Sequence, residues 1–223
     1  MIRPDIPLNR TIRKALVLAF CMGLGSWAWA EGVSSQNSQQ AFLTATDNLK
    51  SMHWKKAKSG FKKVLKDDPD NLKAHFCLGE IEYYTHHLSE AEGYFEWVNF
   101  HDPDMPINHY YLGRVAYDQK RYDQALDEME SADRLDNRIA MVHYYLGLIH
   151  YKQKELSDSQ NELEQAVKLD PSSCKAHYAL AYLMFHDLHQ SQQASKEINT
   201  ALGDNPDKET REKLLNLQKK MGK

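Results

Sequence analysis

Apolar and polar residues recur along this chain with a fixed period. The six-residue block 74–79 reappears at 108–113, 142–147 and 176–181, and each copy begins 34 residues after the last. Each copy carries a histidine second, an aromatic residue third, a leucine fifth and a glycine or alanine last. Self-similarity at a period of this length predicts a protein built from stacked structural repeats.

A second pattern follows each block and predicts a helix. Ala91, Phe95 and Val98 are separated by four and three residues, so they lie on one stripe of a helix. Gly113 and Gly147 end their blocks and lack a Cβ atom, so a neighbouring helix can approach closely there. One such unit cannot bury its apolar face alone, and stacked neighbours must cover it.

These blocks resemble the tetratricopeptide repeat family. When each repeat is numbered 1–34, the match consists of leucine at position 7, glycine or alanine at 8, alanine at 20, a large apolar residue at 24 and proline at 32. Two departures stand out: Ser159 replaces alanine at position 20 of the fourth repeat, and the fifth has one extra residue near 189–193.

The resemblance implies an all-α fold, a right-handed superhelical α-solenoid of five helix-turn-helix repeats. The expected repeats span residues 38–71, 72–105, 106–139, 140–173 and 174–207. Residues 208–223 are predicted to form a capping helix, with Asp207 as N-cap and Leu214, Leu215 and Leu217 facing inward. Residues 31–37 are polar and predict a short flexible leader.

The first thirty residues have the pattern of a secretory signal peptide. Four cations precede an apolar stretch at 15–25, and Ala28 and Ala30 suit a signal peptidase, so cleavage is predicted after Ala30. We therefore expect a soluble periplasmic protein without a stable membrane span. Two alternatives stay open: an uncleaved anchor, and a lipid on Cys21, although Phe20 stands where lipoproteins have a small residue.

Composition narrows the function classes. The 223 residues carry a net charge of −3, and no basic run follows the first thirty residues, so a nucleic-acid partner is not expected. Phosphate loops, nucleophile elbows and zinc motifs are missing from the sequence, so it predicts no enzyme, no catalytic residue, no cofactor and no metal ligand.

Four histidines occupy position 4 of successive repeats: His75, His109, His143 and His177. Position 4 is a packing position in the family, and equivalent residues of neighbouring repeats lie too far apart to share one metal ion. A packing role is therefore predicted. A histidine-based metal-binding protein and a self-assembling coat remain alternatives of a different class, and homo-oligomer formation is left open.

The resemblance also implies a binding surface, because first helices line a concave groove in this family. The candidate partner-binding residues are Phe76, Tyr83, Tyr110, Arg114, Tyr117, Tyr144, Leu148, Tyr151, Tyr178, Tyr182 and Lys175. Tyr94, Trp97 and Phe100 form a second candidate surface on the convex side. An aromatic groove of mixed charge suits an extended peptide or a partner helix.

The expected function is that of a non-enzymatic periplasmic adaptor. It would bind a segment of a partner protein and so assist assembly of an envelope complex such as a pilus, a secretion system or cell-wall machinery. The alternative within the same class is a periplasmic chaperone for an unfolded cytochrome or another client.

Overall fold

A computed structural model describes residues 36–222, which contain eleven helices and no strand. The helices are α1 (Gln36–Lys50), α2 (Trp54–Asp67), α3 (Leu72–Tyr84), α4 (Leu88–His101), α5 (Pro106–Asp118), α6 (Tyr122–Leu135), α7 (Ala140–Gln153), α8 (Leu156–Leu169), α9 (Cys174–His186), α10 (Ser191–Gly203) and α11 (Lys208–Met221). The predicted signal peptide, its cleavage site and most of the predicted leader lie outside the described residues. The last two leader residues, 36 and 37, belong to α1 instead, which corrects that boundary.

The helices form two compact units, one ending at residue 104 and one beginning at residue 105. In the first unit α1 packs on α2 and α3 on α4; in the second the pairs are α5 with α6, α7 with α8, and α9 with α10. The final helix, α11, packs on α9 and α10. The predicted all-α fold of helix-pair repeats is thereby confirmed. Every helix in the described part of the chain is too short or too polar to cross a bilayer.

Each pair turns through a residue in the left-handed backbone region. Met52, His86, Lys120 and Lys154 have φ values of 57°, 64°, 65° and 66°, and they are spaced by the repeat period. In the fifth repeat His189 takes this conformation, one residue later than the period predicts, because the extra residue lies in this turn. None of these positions is a glycine, so each turn carries a conformational cost of about 1 kcal/mol.

Close helix contact at position 8 explains the recurring glycines. A Cβ atom on Gly147 would lie 2.6 Å from Cγ of Leu163, and one on Gly113 would lie 2.9 Å from Cε of Met129. Ser159 is fully buried here and donates a hydrogen bond of 2.8 Å to the carbonyl oxygen of Gly147. The departure at position 20 therefore keeps a small side chain and adds a bond between the two helices.

The last helix begins as its sequence predicts. Asp207 accepts a hydrogen bond of 3.0 Å from the backbone N–H of Thr210, which is an N-cap interaction. Leu214 and Leu217 are buried, but Leu215 is 47% exposed. The expectation that all three leucines face inward was wrong, because a residue adjacent to Leu214 lies about 100° around the helix from it.

Candidate functional site

The position-4 histidines of the second unit pair with carboxylates of the following helix. His109 lies 2.8 Å from Glu128, His143 lies 2.7 Å from Glu162, and His177 lies 2.6 Å from Glu197, measured from Nδ1 to Oε2. The three glutamates occupy equivalent positions on α6, α8 and α10. Each histidine therefore ties the two helices of its own repeat together.

Two of these rings also reach the preceding repeat. Nε2 of His143 lies 3.0 Å from the carbonyl oxygen of Asn137, and Nε2 of His177 lies 2.9 Å from that of Pro171. A carboxylate and a carbonyl oxygen both accept, so both ring nitrogens can donate at once only in the imidazolium form.

The pKa values of these two rings agree with that geometry. The hydrogen bond that His143 donates to Glu162 raises the pKa of His143 above its usual 6.5, against the effect of burial. For His177, burial acts to lower the pKa, but the bonds to Glu197 and Pro171 together with nearby negative charge raise it overall. Sequence reasoning missed these partners, although Glu128 and Glu162 are themselves 34 residues apart.

The equivalent histidine of the first unit has no carboxylate opposite it. Tyr94 occupies the glutamate position, and His75 stacks on Trp97 with ring centroids 3.6 Å apart. Trp97 is half-buried because His101 stacks on its ring at 3.8 Å. Burial lowers the pKa of His75. Of the second candidate surface, Phe100 is the most open, with 84% of its area exposed.

Most candidate groove residues turn out to be core residues. Tyr110 is 1% exposed and Tyr117 is 2% exposed, and both rings meet Tyr145 edge to face. Seven of the candidates are buried: Phe76, Tyr83, Tyr110, Arg114, Tyr117, Tyr144 and Leu148. Neighbouring rings and helices cover these seven side chains, so they do not project into an open groove, and their part in binding a partner stays a prediction.

Arg114 shows most clearly how a predicted groove residue is covered by its neighbours. Its guanidinium lies 5.2 Å from the ring centroids of Tyr110 and Tyr111 and 5.6 Å from that of Tyr145. Such cation–π contacts stabilise a buried cation. The side chain is 4% exposed, so its charge is not presented to a partner.

Four aromatic side chains at the end of α7 and on α9 remain accessible: Tyr151, Tyr178, Tyr182 and Phe185, called here the tyrosine surface. Tyr182 is central, with ring centroids 6.3 Å from Tyr151 and 6.2 Å from Tyr178. Burial, and then the charge and hydrogen bond of Asp187, raise the pKa of Tyr151 to about 12. Lys175, the remaining candidate, is half-buried at the start of the same helix, α9.

A separate polar cluster joins α7 to α8. His150, Glu155 and Asp158 can bring one ligand atom each within 4.8 Å of one another, and Nδ1 of His150 lies 2.7 Å from Glu155. Both carboxylates are exposed, and Glu155 is the residue that precedes the first turn of α8. The observed geometry is that of a hydrogen bond closing the turn between the two helices.

Solved structures similar to this chain show the same fold at low sequence identity. The structure titled MamA 41-end from Desulfovibrio magneticus RS-1 is 18% identical, with 76% of this chain and 95% of that one aligned at a TM-score of 0.66. The pilF protein of Pseudomonas aeruginosa is 17% identical, with 81% and 88% aligned at a TM-score of 0.70. YrrB, described as a tetratricopeptide repeat protein with an unusual peptide-binding site, is 17% identical to this chain. The alignment covers 80% of this chain and 90% of YrrB at a TM-score of 0.61.

Family models match the repeats directly. Residues 78–138 and 140–173 each match a model of the tetratricopeptide repeat. A comparison with curated proteins gives no significant match. Together with the helix pairs, the glycine contacts and the 34-residue period, these matches support a member of the tetratricopeptide repeat family.

Proposed function

We propose that this protein is a non-enzymatic adaptor of the bacterial periplasm that binds a segment of a partner protein on its tyrosine surface. Tetratricopeptide repeats are scaffolds for protein–protein interaction, and one similar structure is described as having a peptide-binding site. The observation that carries the proposal is the tyrosine surface itself. Three of its members, Tyr151, Tyr178 and Tyr182, are predicted groove residues that stay accessible, whereas seven of the other candidates are buried.

The chemistry of the tyrosine surface suits a peptide or a partner helix. Tyrosine combines a large apolar ring with a hydroxyl group and has little conformational freedom to lose, so it is enriched among residues that dominate binding energy. The rings stand on successive turns of α9 and on the end of α7. This arrangement offers ring edges and hydroxyl groups along a line that an extended or helical segment can follow.

The periplasmic part of the proposal rests on the signal-peptide pattern of residues 1–30. An intact mass of the exported protein that corresponds to an N-terminus at Glu31 would support it. A lipid-modified N-terminus at Cys21 would contradict it. Family resemblance favours assembly of an envelope complex, with client delivery as the alternative.

Site-specific crosslinking in the envelope tests the surface. The photoreactive analogue p-benzoylphenylalanine replaces Phe185 in one variant and Phe100 in the other, so both probes substitute a native phenylalanine. The proposal predicts a defined crosslinked partner from position 185 that disappears when Tyr178→Ala is added. Crosslinks from position 100 that persist with Tyr178→Ala but are lost with Trp97→Ala would instead assign binding to the second candidate surface.

A further inference from the structure

A carboxylate lies beside the tyrosine surface and gives it a specific chemistry. Asp187 follows the last residue of α9 and is half-buried. Its charge and its hydrogen bond both act on the hydroxyl of Tyr151, and a hydrogen bond with Tyr182 acts on the same hydroxyl. The carboxylate is therefore adjacent to two rings whose centroids are 6.3 Å apart and nearly perpendicular, at 85°.

One oxygen of this carboxylate is not satisfied within the protein. Oδ2 of Asp187 is buried and makes no hydrogen bond. Buried polar atoms in folded proteins are almost always paired, and an exception calls for a missing partner. The missing group must be a donor, because an ionised carboxylate only accepts.

The nearest histidine does not supply that donor as a cation. His186 is the preceding residue, and its ring lies 4.4 Å from that of Tyr182. Burial, and then the positive charge of Lys220, lower the pKa of His186 below its usual 6.5, so the ring is neutral at pH 7. His186 therefore contributes no imidazolium beside Asp187, although Lys220 brings a positive charge near the His186 ring.

We propose that Tyr151, Tyr182 and Asp187 bind the positively charged side chain of a lysine or arginine in the partner segment. This inference rests on the proposed function and states which chemistry the tyrosine surface selects. Ring faces carry negative potential and attract a cation within about 6 Å of the centroid. The carboxylate adds a charge-assisted hydrogen bond. Arginine fits best, because its planar guanidinium can stack on a ring and donate in the same plane.

The test compares a cation with a neutral molecule of the same shape. Nα-acetyl-arginine amide and Nα-acetyl-citrulline amide are titrated separately into the exported, purified protein labelled with ¹³C in its tyrosine rings. The proposal predicts that arginine shifts the Tyr151 and Tyr182 signals with an affinity at least about tenfold above that of citrulline, and that added salt weakens the binding.

Variants assign the effect to the carboxylate. Asp187→Asn keeps the shape of the side chain and should abolish the preference for arginine. Asp127→Asn, which removes an exposed carboxylate on α6, is the matched control and should leave the preference intact. Lys220→Gln removes the nearby positive charge and should strengthen arginine binding. Tyr151→Leu removes a ring while keeping an apolar side chain, and it should weaken arginine binding.

Each outcome decides the inference. Equal affinities for arginine and citrulline, no binding of arginine, or an arginine preference that survives Asp187→Asn would overturn it. None of these results affects the crosslink expected from position 185, so the cation site can fail while the tyrosine surface stands. Conversely, a crosslink confined to position 100 would reject the tyrosine surface even if arginine binds near Tyr151.

Discussion

The same histidine, at the same place in the repeat, has opposite surroundings in the two units. In the second unit His143 and His177 each bond a glutamate and a backbone carbonyl, and their pKa values are raised. In the first unit His75 bonds the carbonyl of Pro69, but its Nδ1 is buried without a hydrogen bond, and its pKa is lowered. The repeat backbone is shared, so the difference lies in the residue opposite the ring.

That difference teaches how a repeat can be adjusted without changing its fold. Glutamate at this position raises the pKa of His143 and of His177 and so favours the charged form of each ring, whereas His75, which faces Tyr94, has a lowered pKa. The sites of His143 and His177 and the site of His75 then respond oppositely to pH. A histidine whose pKa is raised in the folded state contributes stability that is present below about pH 6.5 and is lost as pH rises through the folded-state pKa. A histidine whose pKa is lowered in the folded state contributes stability that is present above about pH 6.5 and is lost as pH falls below that value.

The largest expected effect is the loss of a charged link. His177→Ala removes two hydrogen bonds and leaves Glu197 without its cation, so the free energy of unfolding at pH 5.5 should fall by about 3 kcal/mol. His75→Ala removes one hydrogen bond and the ring that stacks on Trp97, and it should cost about 2 kcal/mol under the same conditions. Chemical denaturation of both variants measures the difference. Equal losses would show that the glutamate contributes nothing.

Converting the first unit to the pattern of the second should reverse the sign of the pKa shift. Tyr94→Glu places a carboxylate opposite His75, so the pKa of that ring should move from below 6.5 to above it, with a stabilisation of about 1 kcal/mol at acidic pH. Histidine titration followed by NMR measures this. Glu162→Gln is the reciprocal change and should lower the pKa of His143. If the pKa of His75 stays below 6.5 beside the introduced carboxylate, then stacking on Trp97, and not the missing carboxylate, controls it.

A smaller effect should appear in the pH profile of stability. With His143→Gln, the loss of stability as pH rises above about 6.5 should diminish, since the amide side chain has no proton to lose. With His75→Gln, the loss as pH falls below about 6.5 should diminish instead. Thermal denaturation from pH 5 to pH 8 distinguishes the two. Parallel profiles for both variants would contradict the opposite behaviour of the units.

The smallest effect should be identical in the two units, because it concerns the backbone they share. His86→Gly in the first unit and Lys154→Gly in the second each relieve a left-handed residue. The conformational free energy that glycine relieves in the folded state exceeds the entropy cost of its added flexibility in the unfolded chain. Each substitution should therefore raise the free energy of unfolding by about 0.5 kcal/mol. Thermal denaturation of the two variants beside the parent protein measures this. A gain in one unit with a loss in the other would show that the turns differ as well as the side chains.

Much of the fold could be predicted from the sequence, because packing between neighbouring helices requires apolar and small residues at regular spacings along the chain. Spacings of four and three residues place Ala91, Phe95 and Val98 on one buried stripe, and all three are buried in α4. Small residues at position 8 predicted close contact between the two helices of a repeat. In the structure Leu163 lies so close to Gly147 that a Cβ atom there would clash with it. Even Ser159, an exception to the pattern, is accommodated by a local hydrogen bond within its own helix pair.

The binding surface could not be read in the same way. Tyr110 and Tyr178 occupy the same repeat position, yet the first is 1% exposed and the second is half-buried. Arg114 and Tyr182 likewise share a position, but Arg114 is enclosed by three rings that include Tyr145. Position within a repeat predicts the direction of a side chain relative to its own helix, and no more than that.

The sequence by itself therefore determined the repeat, the helix pairs and the small and apolar residues at which the helices of a pair touch, since those contacts lie within one or two periods of the chain. The tertiary structure decided which aromatic rings stay accessible, in which direction each histidine pKa shifts and where Asp187 meets Tyr151. Exposure and pKa depend on every atom that surrounds a side chain, including atoms contributed by the neighbouring repeat. The pattern of residue types along one helix does not specify which atoms of other helices surround a side chain.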